Sequence, residues 1–344
     1  MSSVSRPRIR PVVWQPPSAP ARARSARGTE PLPPVRLLPV PGRGPEDVAR
    51  DASGRLLAGL EDGRVLRLSA GGERVDVIAD TGGRPLGIEV DRDGTLVVCD
   101  AERGLLRIHP DDGGRIERLI AAGDDAGGTP LRVCNNAAIA ADGAIYFSDS
   151  TQRFALKHWE ADLLEHSGTG RLLRRDPDGS CQVLLDGLHF ANGVALAADE
   201  SFVAVAETGA YRLTRLWFTG ERAGEVDRLV DNLPGFPDNI SLGGDGLIWI
   251  ALAAPRNAAL DLLSPRHPAL RRALWALPDA LRPKPVDTTW VQAVDAGGDV
   301  VHDLQAKVAG VSTVTGVREH DGTVWLGTLH GGAVGAFELT VGEL

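Results

Sequence analysis

Short apolar runs separated by acidic-glycine turns recur along most of this chain. Six segments share one pattern: an apolar strand, a tight turn, then a more strongly apolar strand. They are VARDASGRLLAG from Val48, IEVDRDGTLVVCD from Ile88, AAIAADGAIYFSD from Ala137, VALAADESFVAVAE from Val194, ISLGGDGLIWIAL from Ile240 and GVREHDGTVWLGT from Gly316. Asp-Gly between apolar runs predicts a hairpin, because glycine takes positive φ without strain. The fourth copy turns at Asp199-Glu200 and is degenerate. A second strand pair follows each core, as in GRVLRLSAGGERVDVIAD from Gly63 and GRLLRRDPDGSCQVLL from Gly170. Four strands over roughly 40–50 residues is the size of a propeller blade. The pattern therefore predicts an all-β, six-bladed β-propeller. Its ring needs closing, and the strand VRLLPV from Val35 is expected to complete the last blade beside GAVGAFEL.

One stretch breaks the rhythm. Between residues 254 and 284 the spacing lengthens and the periodicity becomes helical. Leu260, Leu263, Leu270, Leu274 and Leu277 can share one apolar face. This predicts a helical insertion between the fifth and sixth blade cores, covering one face of the propeller. Residues 1–34 form an Arg/Pro-rich arm, and residues 35–344 the propeller. The arm lacks a hydrophobic signal-peptide core and reads as a surface-wrapping or, more simply, a solvated tail.

The repeat register carries the candidate chemistry. Aligned on their turns, the copies place Gly54, Gly94, Gly143, Glu200, Gly246 and Gly322 together. Eight residues earlier stand Glu46, Leu86, Asn135, Asn192, Asp238 and Val314. Four of these carry side-chain oxygens, at the start of innermost strands where ring symmetry brings them to one axis. Any one alone is an ordinary turn or cap former. Four in one register predict a shared site of hard oxygens without histidine or cysteine. That donor set suits calcium, with Mg2+ or Mn2+ as alternatives, better than zinc. Asn136 and Asn239, one residue further on, can add oxygens, and Asp47 can replace Glu46 if the register slips.

Charge and composition narrow the partners. The 344 residues carry a formal charge of −9, which disfavours nucleic acid. No stretch reaches the length of a membrane span. Cys99, Cys134 and Cys181 include no CxxC pair and read as small buried hydrophobes, which suits a reducing, cytoplasmic location.

The stretches GRPLGIEVDRDGTLVVCDAERGLLRI, TGRLLRRDPDG, HFANGVAL and LPGFPDNISLGGDGLIWIAL resemble the strictosidine synthase-like proteins. These share a superfamily with gluconolactonase, senescence marker protein and the paraoxonases. The resemblance implies a six-bladed propeller, with Glu46, Asn135, Asn192 and Asp238 on the calcium ligands of the lactonase and paraoxonase branches. Asn239 falls on an additional ligand of the paraoxonase type. Thr315 stands where the alkaloid-forming branch has its catalytic glutamate, and Leu86 and Asp100 where the paraoxonases have a histidine pair. The expected function is a calcium-dependent hydrolase of small-molecule lactones or esters. Asp238 is the expected general base, and His189, three residues before Asn192, a candidate for proton transfer. A condensing synthase or a non-catalytic binding propeller with a structural metal are the alternatives. Glu207 reads as a carboxylate that supports either the site residues or the fold. Ser148 and Ser150 lack a nucleophile-elbow context.

Overall fold

The computed structural model describes residues 6–25 and 27–339. It is built from six antiparallel sheets, each a blade. The first strands of the blades are Val48–Arg50, Pro85–Val90, Cys134–Ile139, Ala191–Leu196, Gly235–Leu242 and Val314–His320. Each packs against the first strand of the next blade, and the sixth returns to the first, so the ring is closed around an axis. The second strands, such as Leu96–Asp100 and Phe202–Glu207, are buried along their whole length. They are covered on both faces by neighbouring blades, which explains their unbroken apolar runs. The core is correspondingly divided into inter-blade layers. Phe202, Tyr211, Ile250 and Trp290 fill the layer between blades four and five. Leu38, Leu56, Trp325 and Val334 fill the one between blades six and one.

Closure uses the two ends of the propeller segment. Arg36–Pro39 pairs antiparallel with Ala333–Glu338 as the outer strand of the last blade. Glu30–Pro31 adds a short parallel edge to Val300–Ala306 of blade five.

A repeated irregularity sets the register of the channel. In blades two to five the pairing of the first two strands skips two residues, 86–87, 135–136, 192–193 and 238–239. In blade six it skips 315–316. The turn residue follows the first regular pair by six positions in blade two, Ile88 to Gly94, but by five in blade six, Val317 to Gly322. Counting back from the turn therefore lands one residue early in the last blade. The residue equivalent to Asn135 there is Thr315, and Val314 is not part of the set.

Two insertions rise from the same end of the ring. Trp159–Glu165 lies between the second and third strands of blade three. Ala258–Leu263 and Ala269–Ala276 lie at the equivalent place in blade five. The leucine face expected there is not the packed one: Leu270 is 45% and Leu277 37% exposed, while Arg271 and Trp275 point inward. The arm supplies the reason. It threads between the insertions, with Val12 N–H bonded to Glu165 O at 2.8 Å and Trp14 N–H to Ser264 O at 3.1 Å. Arg271 donates to Leu164 O at 2.9 Å and to Val12 O. Trp275 Nε1 donates to Pro7 O at 2.8 Å. Peptide carbonyls of the arm need donors, so a buried arginine and a tryptophan N–H occupy the interface instead of leucines. Over these residues the arm is thus not a solvated tail.

Candidate metal centre

The paired positions in each bulge have different tasks. The second of each pair alternates polar and glycine around the ring: Asp47, Gly87, Asn136, Gly193, Asn239 and Gly316. A Cβ on Gly87 would meet Asn136 Cα at 2.7 Å, one on Gly193 would meet Asn239 Cα at 2.7 Å, and one on Gly316 would meet Asp47 Cα at 2.7 Å. Each polar member thus sits against a glycine of the preceding blade and reaches the following one. Asp47 accepts from Ile88 N–H at 3.1 Å and Val48 N–H at 2.9 Å. Asn136 accepts from Val194 N–H at 2.8 Å. Those oxygens are occupied in tying blades together, so neither Asn136 nor Asp47 is free to serve as an extra ligand. Asn239 departs from this pattern. Its amide donates to Glu46 Oε2 at 3.2 Å and its Oδ1 has no partner.

The first members face a common need. Glu46, Asn135 and Asn192 are buried, and Asp238 is partly exposed. Asn135 turns its amide NH2 to Ser150 Oγ at 2.9 Å, and Asn192 turns its own to Thr208 Oγ1 at 3.2 Å. Thr208 is itself anchored on Pro237 O at 2.7 Å, beside Asp238. The carbonyl oxygens of Asn135, Asn192 and Asn239 are all buried without a hydrogen-bond partner. Leaving a buried acceptor unpaired costs about 1–3 kcal/mol each. Three in one constellation ask for a ligand.

The electrostatics ask for a positive one. Burial is the main cause that pushes the Glu46 carboxyl well above its usual range, and the charges of Asp238 and Asp47 add to it. Arg84 opposes this from one side, where it also donates to Gly44 O at 3.0 Å. Asp238 is pushed up to about 7, first by burial and then by Asp47, while a hydrogen bond from Asn192 pulls the other way. Two carboxylates and three unsatisfied amide oxygens are the donor set of a hard divalent cation. Among the described residues no group of three His, Cys, Asp or Glu could hold a metal ion, so a cation here would depend on the amides. Glu46, Asn192, Asp238 and Asn239 form one connected group, and Asn135 holds the equivalent place on blade three.

His189 stands apart from them. Its ring makes no hydrogen bond to the five oxygen residues, and its Nδ1 is buried and unpartnered. It stacks on His166 with centroids 3.8 Å apart, and His166 stacks on Trp14 of the arm at 4.1 Å. Burial lowers both histidines, His166 to about 2, which leaves both imidazoles neutral. Glu207 is structural: it accepts from His189 N–H at 2.9 Å and pairs with Arg212 at 2.6 Å. Asp149 and Asp100 clamp the equivalent N–H groups of Val133 and Arg84 at 2.8 and 3.0 Å. Ser148 Oγ accepts from Asn136 N–H at 3.1 Å, a structural contact.

Ser150, Thr208, His166 and Trp14 are site residues that the sequence pattern does not single out. For the first two a signal exists. Ser150 follows Asn135 by 15 residues and Thr208 follows Asn192 by 16. Where the ring position is Leu86, the residue at that spacing is Ala101, and the two pack together. The hydroxyl appears where an amide needs orienting. No local pattern points to Trp14 or His166.

The fold and this centre define a six-bladed propeller with an oxygen-lined axial site. Residues 34–68 match the family model for strictosidine synthase-like N-terminal regions, and residues 135–221 the model for strictosidine synthase. An adipocyte plasma membrane-associated protein of Salmo salar is 34% identical over 310 residues, 83% of this chain and 73% of its own. Strictosidine synthase-like protein 6 of Arabidopsis thaliana is 33% identical over 291 residues, covering 82% and 76%. The chain belongs to the strictosidine synthase-like family. In fold it resembles a gluconolactonase of Xanthomonas campestris, with a TM-score of 0.65, 20% identity and coverage of 98% and 99%. It also resembles the calcium-binding regucalcin of Agrobacterium tumefaciens, with a TM-score of 0.62, 14% identity and coverage of 90% and 95%. Among the described residues no helix is long and apolar enough to cross a membrane.

Proposed function

We propose that this protein hydrolyses lactones or esters with the help of a divalent cation, calcium above others. The observation that carries this reading is the set of three buried, unpartnered amide oxygens beside two carboxylates raised by burial and by neighbouring carboxylates. Glu46, Asn135, Asn192, Asp238 and Asn239 would hold the cation. When bound, it supplies Lewis-acid polarisation of a carbonyl oxygen. The chain's own residues supply the rest. Asn135 and Asn192 are held by Ser150 and Thr208, so their carbonyls need no reorganisation. Asp238, the one partly exposed member, takes the proton of an attacking water and returns it to the departing alkoxide. His189, whose imidazole burial holds below its usual range, is the second candidate for the base. Nothing acidic replaces the synthase glutamate: Thr315 is buried and donates to Glu46 O at 2.7 Å. This favours hydrolysis over a condensation that needs an acid–base group there.

Asp238→Asn tests the assignment. At saturating calcium its kcat is expected to fall roughly 10²–10⁴-fold, the usual worth of a general base, while calcium affinity falls less. Full activity at saturating calcium would leave Asp238 as a ligand only and move the base to His189. A wild-type protein inert toward a broad lactone and ester panel, yet stabilised by calcium, would favour the binding propeller.

A further inference from the structure

Cavities at the two ends of the ring differ in their charges. At one mouth of the channel, beside the hairpin turns, a cavity of about 390 Å³ is lined by Arg50, Asp51, Glu89, Arg318, Glu319 and His320. Acids and bases alternate there: Arg318 pairs with Glu89 at 2.5 Å, and Glu319 accepts from Asp245 N–H at 3.1 Å and Gly322 N–H at 2.8 Å.

The second cavity, of about 600 Å³, lies between blades two and three, at the end that carries the candidate centre. Its apolar walls include Ala101, Leu131 and Leu156. Ala101 and Leu156 also pack against Leu86, the residue that takes the Asn135 position in blade two. Leu86 thus lies between this cavity and the ring of oxygens. Its charged side chains are Arg132, Lys157 and Glu102. Arg132 is oriented by its backbone: its N–H reaches Asp149 Oδ2 at 3.4 Å and its Nε donates to Phe154 O at 3.2 Å. Among the described residues neither Arg132 nor Lys157 forms an ion pair, and both are exposed. Two unpaired cations against one acid is a local excess of positive charge on a chain of net charge −9.

We propose that this cavity binds the carboxylate-bearing tail of the substrate, with the acyl chain along Leu131 and Leu156 and the terminal carboxylate on Arg132 and Lys157. The planar guanidinium suits a bidentate carboxylate, and Lys157 adds a mobile point charge. An apolar floor with a few placed polar groups is the usual build of a small-molecule site. The inference deepens the hydrolase reading by naming a substrate class: esters or lactones of acids that carry a second, remote carboxylate.

Binding and turnover are measured separately, so that the two readings fail separately. Calorimetric titrations with monomethyl adipate, the amide-terminated analogue and a phosphate-terminated analogue compare the wild type with Arg132→Ala/Lys157→Ala. Wild type is expected to bind the carboxylate at least tenfold more tightly than the amide, and the double variant to lose that preference while its calcium affinity stays unchanged. Arg132→Lys, which keeps the charge, is expected to retain part of it. Equal affinity for carboxylate and amide, no detectable carboxylate binding, or a preference for phosphate overturns the proposal. In steady-state kinetics, the double variant is expected to raise KM for 4-nitrophenyl hemisuccinate at least tenfold more than KM for 4-nitrophenyl butyrate. Binding selectivity without any turnover would sink the hydrolase reading alone.

Discussion

At the scale of single residues, the candidate centre depends on oriented amides. An asparagine carbonyl is a ligand only if its NH2 is directed elsewhere. Ser150 and Thr208 do this for Asn135 and Asn192. Ser150→Ala removes that partner with little change of volume, and the amide becomes free to rotate. Calcium affinity, read by calorimetric titration, is expected to fall about tenfold, the lower end of what outer-shell partners of metal ligands contribute. Thr208→Ala is expected to do the same, and more, because Thr208 also anchors Pro237. Wild-type affinity in both variants would mean that the hydroxyls do not orient the amides.

At the scale of elements, the bulges and insertions set positions. Gly193 has room for no side chain: a Cβ there would stand 2.2 Å from Ile240 N. The obstacle is backbone of the next blade, which cannot swing aside. Gly193→Ala is expected to cost about 1–3 kcal/mol in chemical denaturation, as overpacking does, and to weaken calcium binding through displaced Asn239. Gly246→Ala, at a turn with open space and φ of 81°, is expected to leave calcium affinity unchanged. If the two variants bind calcium equally, the clasp does not position the centre. The blade-three insertion carries a pH signature. Asp162 on Trp159–Glu165 is buried, bonds to Thr151 and to Ser167 at 2.8 Å, and is raised by burial to about 6. A carboxyl raised above its unfolded value favours the folded state when protonated. Its contribution is fully present below about pH 4 and is lost as pH rises through 6. The whole effect amounts to at most about 3 kcal/mol. The melting temperature of Asp162→Asn relative to wild type is expected to rise between pH 4 and pH 7. A flat difference would show that the carboxyl is ionised throughout.

At the scale of the molecule, stability depends on closing the ring. Leu38 sits near the chain's beginning yet is 1% exposed against Trp325 and Val334 of the last blade. Its neighbour Leu37 is 41% exposed. Leu38→Ala is expected to cost about 2–5 kcal/mol, as a core leucine does, and Leu37→Ala less than about 1 kcal/mol. Denaturant titration of the two variants checks this. Equal, small losses would mean that the N-terminal strand is dispensable to the ring. The arm beyond it gives a second whole-molecule link, because Trp14 meets His166 and Tyr211, which belong to different blades.

The sequence by itself determined the blade count, the hairpin turns and the strand that closes the ring. Those follow from hydrophobic alternation and from turn chemistry, which are local. It also singled out Glu46, Asn135, Asn192 and Asp238 as candidates, with Asn239 one residue on, because a repeat places equivalent positions on one axis. It misjudged what depends on pairing across strands: a hairpin shorter by one residue moved the sixth position from Val314 to Thr315. The leucines of the insertion looked like its packed face, but Arg271 and Trp275 took that place once the arm's carbonyls needed donors. The tertiary structure alone decided which amide oxygens are free. Asn136 and Asn239 are the same residue type at equivalent places, yet one oxygen meets Val194 N–H and the other meets nothing. A side chain's spare valence depends on neighbours from other blades, and no local stretch of sequence encodes their distance.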